Sequence, residues 1–324
     1  MHAQRYLLTD VLKGELGFNG FLVTDWEAID QIDEDFYVSV VQSINAGIDM
    51  NMVPFKYHRY IALLTRAVEN GDVPMSRIDD AVRRILRVKL MMGLFETPNC
   101  ETPIEVVGCA EHRALAREAV QKSAVLLKND DDLLPLPKDM EHILVAGAAA
   151  HDVGYQCGGW SIEWMGKPGA IAPGATILEG MKALSSAEIV YDPAGAFDQT
   201  APVGLVVIAE NPYAEGMGDR TDLTISAEQI TLIETMRKKV DKLIVVLMSG
   251  RPMIITDQLP LMDAFVAAFL PGTEGDGLSD VIFGEAPFTG TLSFHWPHSM
   301  QQVPLSQMEG QTPLFKIGDG LVNS

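Results

Sequence analysis

A chain of 324 residues with 47% apolar side chains is long for one domain and ample for two with ordinary cores. Its 44 acidic against 24 basic side chains give a formal net charge of -20, which repels phosphate backbones and anionic membranes and argues against a nucleic-acid partner. The three cysteines, Cys100, Cys109 and Cys157, are too few and too scattered for a disulfide scaffold or a zinc site. No apolar run approaches the roughly 20 residues of a membrane span, and MHAQRYLLTDVLK lacks the order of a signal peptide.

In chain order, Leu7, Leu8, Val11, Leu12 and Leu16 keep helical spacing over Tyr6 to Leu16, and Gly17 stands where a helix would stop. Phe21 to Thr24 reads as a short strand ending at Asp25 and Trp26. An acidic loop then leads to a helix from Tyr37 to Ala46, closed by Gly47. A second strand is expected over Ile48 to Val53, then helices over Tyr57 to Asn70 and Ser76 to Leu94, the latter opened by a Ser76-x-x-Asp79 capping box. Two strands cannot close a barrel, and an open parallel pair is normally buried on both faces, so this first unit reads as incomplete or covered.

ETPNCETPIEVV has two prolines and no helical period, so residues 96–110 read as a linker between a unit over 1–95 and one over 111–324. The second unit alternates helix 111–123, strands near 124–128 and 142–147, helix 175–184, strand 204–209, helix 226–240, and strands near 243–248 and 264–269. That rhythm predicts an open, mostly parallel α/β sheet. The seven histidines are dispersed and no glycine loop opens a helix as a phosphate cradle; Gly158 and Gly159 read as turn formers. Neither a metal nor another cofactor is implied.

Locally, Asp25 is open to two readings. It is a helix-capping or loop carboxylate beside a half-buried tryptophan, or an acid at the C-terminal end of a parallel strand with an aromatic platform, the face on which barrel active sites lie. Glu215 in NPYAEGMGD is, by itself, one surface acid among 44, and Trp26, Trp160 and Trp164 are open between core or interface roles and a sugar cleft. Glu210 ends a strand and Glu274 sits in a PGTEG turn, so both read as structural acids.

The wider spelling narrows this. LLTDVLKGELGFNGFLVTDWEAID resembles the nucleophile segment of glycoside hydrolase family 3, a helix followed by G-F-x-G-F/Y, two hydrophobic residues and S/T-D-W. INAGIDMNMVP, PMSRIDDAVRRILRVKLMMGLFE, HRALAREAVQKSAVLLKNDDDLLPLPK, YQCGGWSIEWMG, AENPYAEGMGD, SGRP, PGTEGDGLSDVIFG and FTGTL continue the resemblance over essentially the whole chain, closest to its exo-acting β-glucan glucohydrolase branch. It implies residues 1–95 as the C-terminal part of a (β/α)8 barrel and 111–324 as an open α/β sandwich domain. It also implies Asp25 as nucleophile, Glu215 as acid/base, and Trp26 and Trp164 as the pair that sandwiches a sugar, with Trp160 lining the same cleft.

The implied chemistry is retaining double displacement on β-glucosides or β-glucan oligosaccharides, releasing glucose from non-reducing ends. The implied location is periplasmic or secreted. Family members carry earlier barrel residues that grip the sugar, so the resemblance implies little or no activity for this chain alone, with a second copy or the missing barrel segment as a further partner. Met1 then reads as a start assigned inside a longer frame. Gln31 stands where relatives often place an arginine, which leaves linkage preference open. A non-catalytic carbohydrate-binding remnant is the competing reading, and Glu215 with the two-tryptophan cleft argues against the N-acetylhexosaminidase branch.

Overall fold

The computed structural model describes residues 1–99, 104–308 and 310–322; part of the expected linker, including Cys100, lies outside the described residues. The chain divides into two compact units, Met1–Pro103 and Ile104–Ser324, and each is described by itself.

Unit 1 begins with a helix over Tyr6–Glu15, wound with the wider π hydrogen bonding rather than as the α-helix its apolar spacing predicts. Its tie points explain the placement. Thr9 Oγ1 donates to the Ala46 carbonyl (2.8 Å), and Lys13 Nζ donates to the Gly47 carbonyl (2.7 Å) and to both carboxylate oxygens of Asp49 (2.8 and 2.9 Å). Helix α1 (Phe36–Ala46) starts on Asp35, whose side chain accepts from the Tyr37 N–H, and stops at Gly47. There φ is +114°, and a Cβ would stand 2.4 Å from Thr9 Oγ1, so glycine is required twice over.

Helices α2 (Tyr57–Glu69) and α3 (Met75–Met91) follow. The capping box expected at Ser76 does not form. Pro74 is the N-cap, and it has no backbone N–H to donate the reciprocal bond, so Ser76 falls inside the helix.

The two strands expected in this unit contract to a single parallel bridge, Val23 with Met50. The Met52 N–H goes to Thr24 Oγ1 (2.8 Å) instead of extending a ladder, and Val23 and Met50 are both exposed. With no neighbouring strand among the described residues and with the face that carries Val23 and Met50 uncovered, the pair has little to hold a longer ladder. Asp49 fixes the far end of the bridge segment. Its fully buried carboxylate takes Lys13, the Leu22 N–H (2.8 Å) and the Arg77 guanidinium.

Unit 2 contains α4 (Ala110–Ser123), β1 (Val125–Asn129), β2 (His142–Ala146), α5 (Val153–Cys157), α6 (Ile177–Leu184), β3 (Glu188–Asp192), β4 (Ala201–Ala209), α7 (Ala227–Arg237), β5 (Val240–Met248), β6 (Ala264–Ala267) and α8 (Asp276–Ile282). The strands form a six-stranded sheet in the order β1-β6-β5-β4-β2-β3, parallel throughout except for β1 against β6, so the fold is α/β and mostly parallel. Alternate residues feed two cores. Ile143, Val145, Leu205, Val207, Ile244 and Val246 pack with α4, α6 and α8, while Leu144, Val206, Leu243, Val245 and Phe265 pack with α7 and Trp296.

β5 begins at Val240, where the sequence pattern places the end of the preceding helix. β3, α5 and α8 are additions to the predicted order. β3 is an edge strand, only half buried and charged at both ends, so it lacks the apolar run that marks β4 and β5. The chain leaves β2 to one side for β3, then returns on the other side as β4. The order therefore reverses between β2 and β4, and the loops after these two strands emerge where such sheets open a crevice.

Candidate active site

The loop that follows β4 carries Glu215 and is framed from below by charge. Glu210 sits at the strand end with a nearly buried side chain, paired to Arg251 (3.0 and 3.2 Å) and Arg220 (3.2 Å). The Arg251 guanidinium also lies 3.9 Å from the centroid of the Tyr213 ring and donates to the Gly218 carbonyl (2.9 Å). Burial and then the nearby Glu210 charge push the Tyr213 phenol up, so it stays protonated against this frame. Above it, Ala214 is buried, Gly216 turns the chain with φ of +65°, and Glu215 projects into solvent.

The loop after β2 carries Trp160 and Trp164. It is a tight hairpin in which the Trp160 N–H donates to the Trp164 carbonyl (2.9 Å), with Trp160 at φ +59° and the β-branched Ile162 at φ +64°. Each left-handed residue costs about 1–3 kcal/mol and persists only where its surroundings compel it. What compels it is contact between the two loops: a Cβ on Gly159 would lie 2.0 Å from the Tyr213 carbonyl oxygen, and one on Gly166 would lie 2.3 Å from the Gly158 oxygen and 2.9 Å from Pro212. The hairpin thus rests on the Glu215 loop, and the Trp160 Nε1–H donates to Glu215 Oε2 at 3.1 Å. Both indole rings are substantially exposed.

In unit 1, Asp25 is exposed at the end of the bridge segment. Its Oδ1 accepts from the Trp26 N–H (2.6 Å), its carbonyl accepts from Ala28 (3.3 Å), and its own N–H points at His2 Nε2 (3.4 Å). Glu27 adopts φ of +50° and donates its N–H to the Met52 carbonyl (3.0 Å), which turns the chain directly after the candidate acid. The Trp26 ring is exposed and meets Phe55 edge-on, with centroids 6.0 Å apart. Gln31 is also exposed, at the end of a short 3-10 turn over Ala28–Gln31.

The structure therefore brings Glu215, Trp160 and Trp164 together in unit 2, and Asp25 with Trp26 in unit 1. Glu274 is buried and paired to Arg113 (3.1 Å). Sequence reasoning missed the framing set of Arg220, Arg251 and Tyr213. The spelling SGRP holds the arginine, but nothing local links it to an acid 41 positions earlier. Among the described residues, no group of three or more His, Cys, Asp or Glu side chains is placed to hold a metal ion, and no helix is long and apolar enough to cross a membrane.

The doubly wound domain thus presents an exposed carboxylate beside two exposed indoles. The family model for the glycosyl hydrolase family 3 C-terminal domain matches residues 124–322, and that for the family 3 N-terminal domain matches residues 1–88. The chain belongs to glycosyl hydrolase family 3. It is 31% identical to lysosomal beta glucosidase of Dictyostelium discoideum over 99% of this chain and 44% of that protein. It is 32% identical to periplasmic beta-glucosidase of Salmonella typhimurium over 93% and 45%. The solved exo-1,3/1,4-beta-glucanase of a Pseudoalteromonas species superposes with a TM-score of 0.91 at 37% identity, covering 99% of this chain and 43% of that one. The chain thus spans about half the length of the curated relatives it matches.

Proposed function

We propose that this chain is the nucleophile- and acid/base-bearing part of a retaining, exo-acting β-glucosidase or β-glucan glucohydrolase. The observation that carries the reading is Glu215: an exposed carboxylate on a loop locked by Arg251 and Gly218, hydrogen-bonded by an indole and flanked by a second one. The names of the beta-glucosidase and exo-beta-glucanase relatives supply the substrate class. Asp25 attacks the anomeric carbon while Glu215 protonates the leaving oxygen; Glu215 then takes a proton from water as the glycosyl ester is hydrolysed. Retention needs the two carboxyl groups about 5–5.5 Å apart when the site is assembled. Trp26 and Trp164 offer ring faces to a sugar bound toward the leaving-group side, and Trp160 borders the same cleft.

In this reading residues 1–95 are the C-terminal part of a barrel domain, 96–110 the connector and 111–324 the sandwich domain. The remaining sugar contacts come from barrel residues outside this sequence. Such contacts supply much of the transition-state binding, so this chain alone turns over aryl β-glucosides at close to the uncatalysed rate. Export to the periplasm or cell exterior follows the Salmonella relative's name.

The decisive test is hydrolysis of aryl β-glucosides by the protein carrying the whole barrel. Asp25→Ala lowers kcat by about a thousandfold or more, whereas equal rates with and without Asp25 would remove it from the mechanism. The exposed pair Trp160 and Trp164 also favours a second reading, carbohydrate binding without catalysis. Calorimetric titration of this chain with laminari- and cello-oligosaccharides separates the two: binding by a chain whose full-length form is inert supports the second.

A further inference from the structure

Trp160 is a costly place for a large apolar ring. Its side chain is 70% exposed, its own backbone is left-handed, and so is that of Ile162 two residues on. Neither burial nor backbone preference accounts for an indole at this position. Its polar atom supplies the missing reason, because Nε1 lies 3.1 Å from Glu215 Oε2. The hairpin geometry that aims it there is the same one that forbids a Cβ at Gly159 against the Tyr213 carbonyl, in the loop that carries Glu215.

An indole N–H donates and never accepts. It can hold an oxygen lone pair, but it cannot receive a proton from the acid. With Oε2 taken in this way, a proton on Glu215 resides on Oε1. We propose that Trp160 is the positioning residue for Glu215: its N–H fixes the rotation of the carboxyl plane and reserves Oε1 as the oxygen that gives and receives the proton. This rests on the assignment of Glu215 as the acid/base. In the first step the Oε1–H bond breaks as the leaving-group oxygen gains the proton and gives up its bond to the anomeric carbon, which bonds to Asp25. In the second, Oε1 takes a proton from the water whose oxygen bonds to the anomeric carbon as the bond to Asp25 breaks. Oε2 keeps its bond to Trp160 throughout.

The test has two arms. In the first, 15N-indole spectra of the full 324-residue chain are recorded across pH, with Trp160→Phe identifying the Trp160 signal by its loss. The expected result is a Trp160 signal that moves with pH and stops moving in Glu215→Gln. A signal indifferent to pH, or one that moves unchanged in Glu215→Gln, overturns the proposal. This arm needs no turnover. In the second, the protein with its complete barrel is given aryl β-glucosides of graded leaving-group ability. Trp160→Phe keeps the ring and loses the donor. It should lower kcat about tenfold or more on poor leaving groups, with KM moved less than about twofold and the most activated substrate nearly unaffected. Equal losses across the series, or a loss confined to KM, would make Trp160 a stacking platform and overturn the positioning role. If Glu215→Gln leaves poor leaving groups unaffected, the acid/base assignment fails and takes the proposal with it. The spectroscopic contact then survives alone, which separates the two failures.

Discussion

Gly159 shows how little room separates the loop bearing the tryptophans from the loop bearing Glu215. A methyl group there would stand 2.0 Å from a backbone oxygen, which cannot swing aside as a side-chain tip could. Gly159→Ala should therefore cost unit 2 about 1–3 kcal/mol in denaturant unfolding and alter the indole fluorescence as the hairpin lifts. Gly216 is the useful contrast. Its φ is +65° with nothing within 4 Å of an added Cβ, so Gly216→Ala bears only the backbone term of about 1–2 kcal/mol. An unchanged stability and fluorescence in Gly159→Ala would show that the loops are not in contact. Local pattern reads both Gly158 and Gly159 as turn formers, which holds for Gly158 with φ of +69°; the steric role of Gly159 depends on a loop more than 50 residues away and has no local signature.

Elements are held by single carboxylates. Asp49 ties the π-wound Tyr6–Glu15 helix through Lys13, the Leu22 backbone directly, and α3 through Arg77. Asp49→Ala takes from Lys13 and Arg77 their buried partner and leaves both to the more exposed Asp80, which should destabilise unit 1 by about 3 kcal/mol, read from its loss of helical signal in urea. Asp263 plays a similar part between β5 and β6. Burial pushes its carboxyl up, but the Leu243 N–H (2.8 Å), Arg237 (2.6 Å) and Lys242 (3.3 Å) together outweigh this and hold it below the usual carboxylate value. Because the folded carboxyl releases its proton more readily than the unfolded one, its stabilisation is complete above the ordinary range near about pH 4 and is lost as pH falls through the lower folded value. Asp263→Asn should flatten that part of the acid-unfolding curve while leaving the slope at neutral pH unchanged. An acid limb identical to the wild type would place the titration elsewhere.

At the scale of the whole molecule, legibility followed burial. β2, β4 and β5 are continuous apolar runs buried on both faces, and their existence could be read from pattern alone. The edge strand β3 could not, and the two strands expected in unit 1 shrank to one bridge because their β-prone residues have no sheet to join. At the candidate site, local pattern left Asp25 and Glu215 ambiguous, and a chain-long resemblance singled them out; the bond from Trp160 to Glu215 joins residues 55 positions apart and needed coordinates. The same contrast predicts uneven stability. Unit 2 wraps a six-stranded sheet between two extensive apolar layers, whereas unit 1 has only small clusters among its described residues and leaves Val23, Phe55, Ile61, Leu90 and Met91 exposed. Stability that rests on buried apolar contact should therefore be low in α1 to α3 and high in β2, β4 and β5. Amide hydrogen exchange on this chain should show the helices of unit 1 exchanging at least about a hundredfold faster than the central strands, a gap of roughly 3 kcal/mol in opening free energy. Urea should resolve two transitions, with unit 1 first. Uniform protection and a single transition would mean that unit 1 draws its stability from something other than its own core.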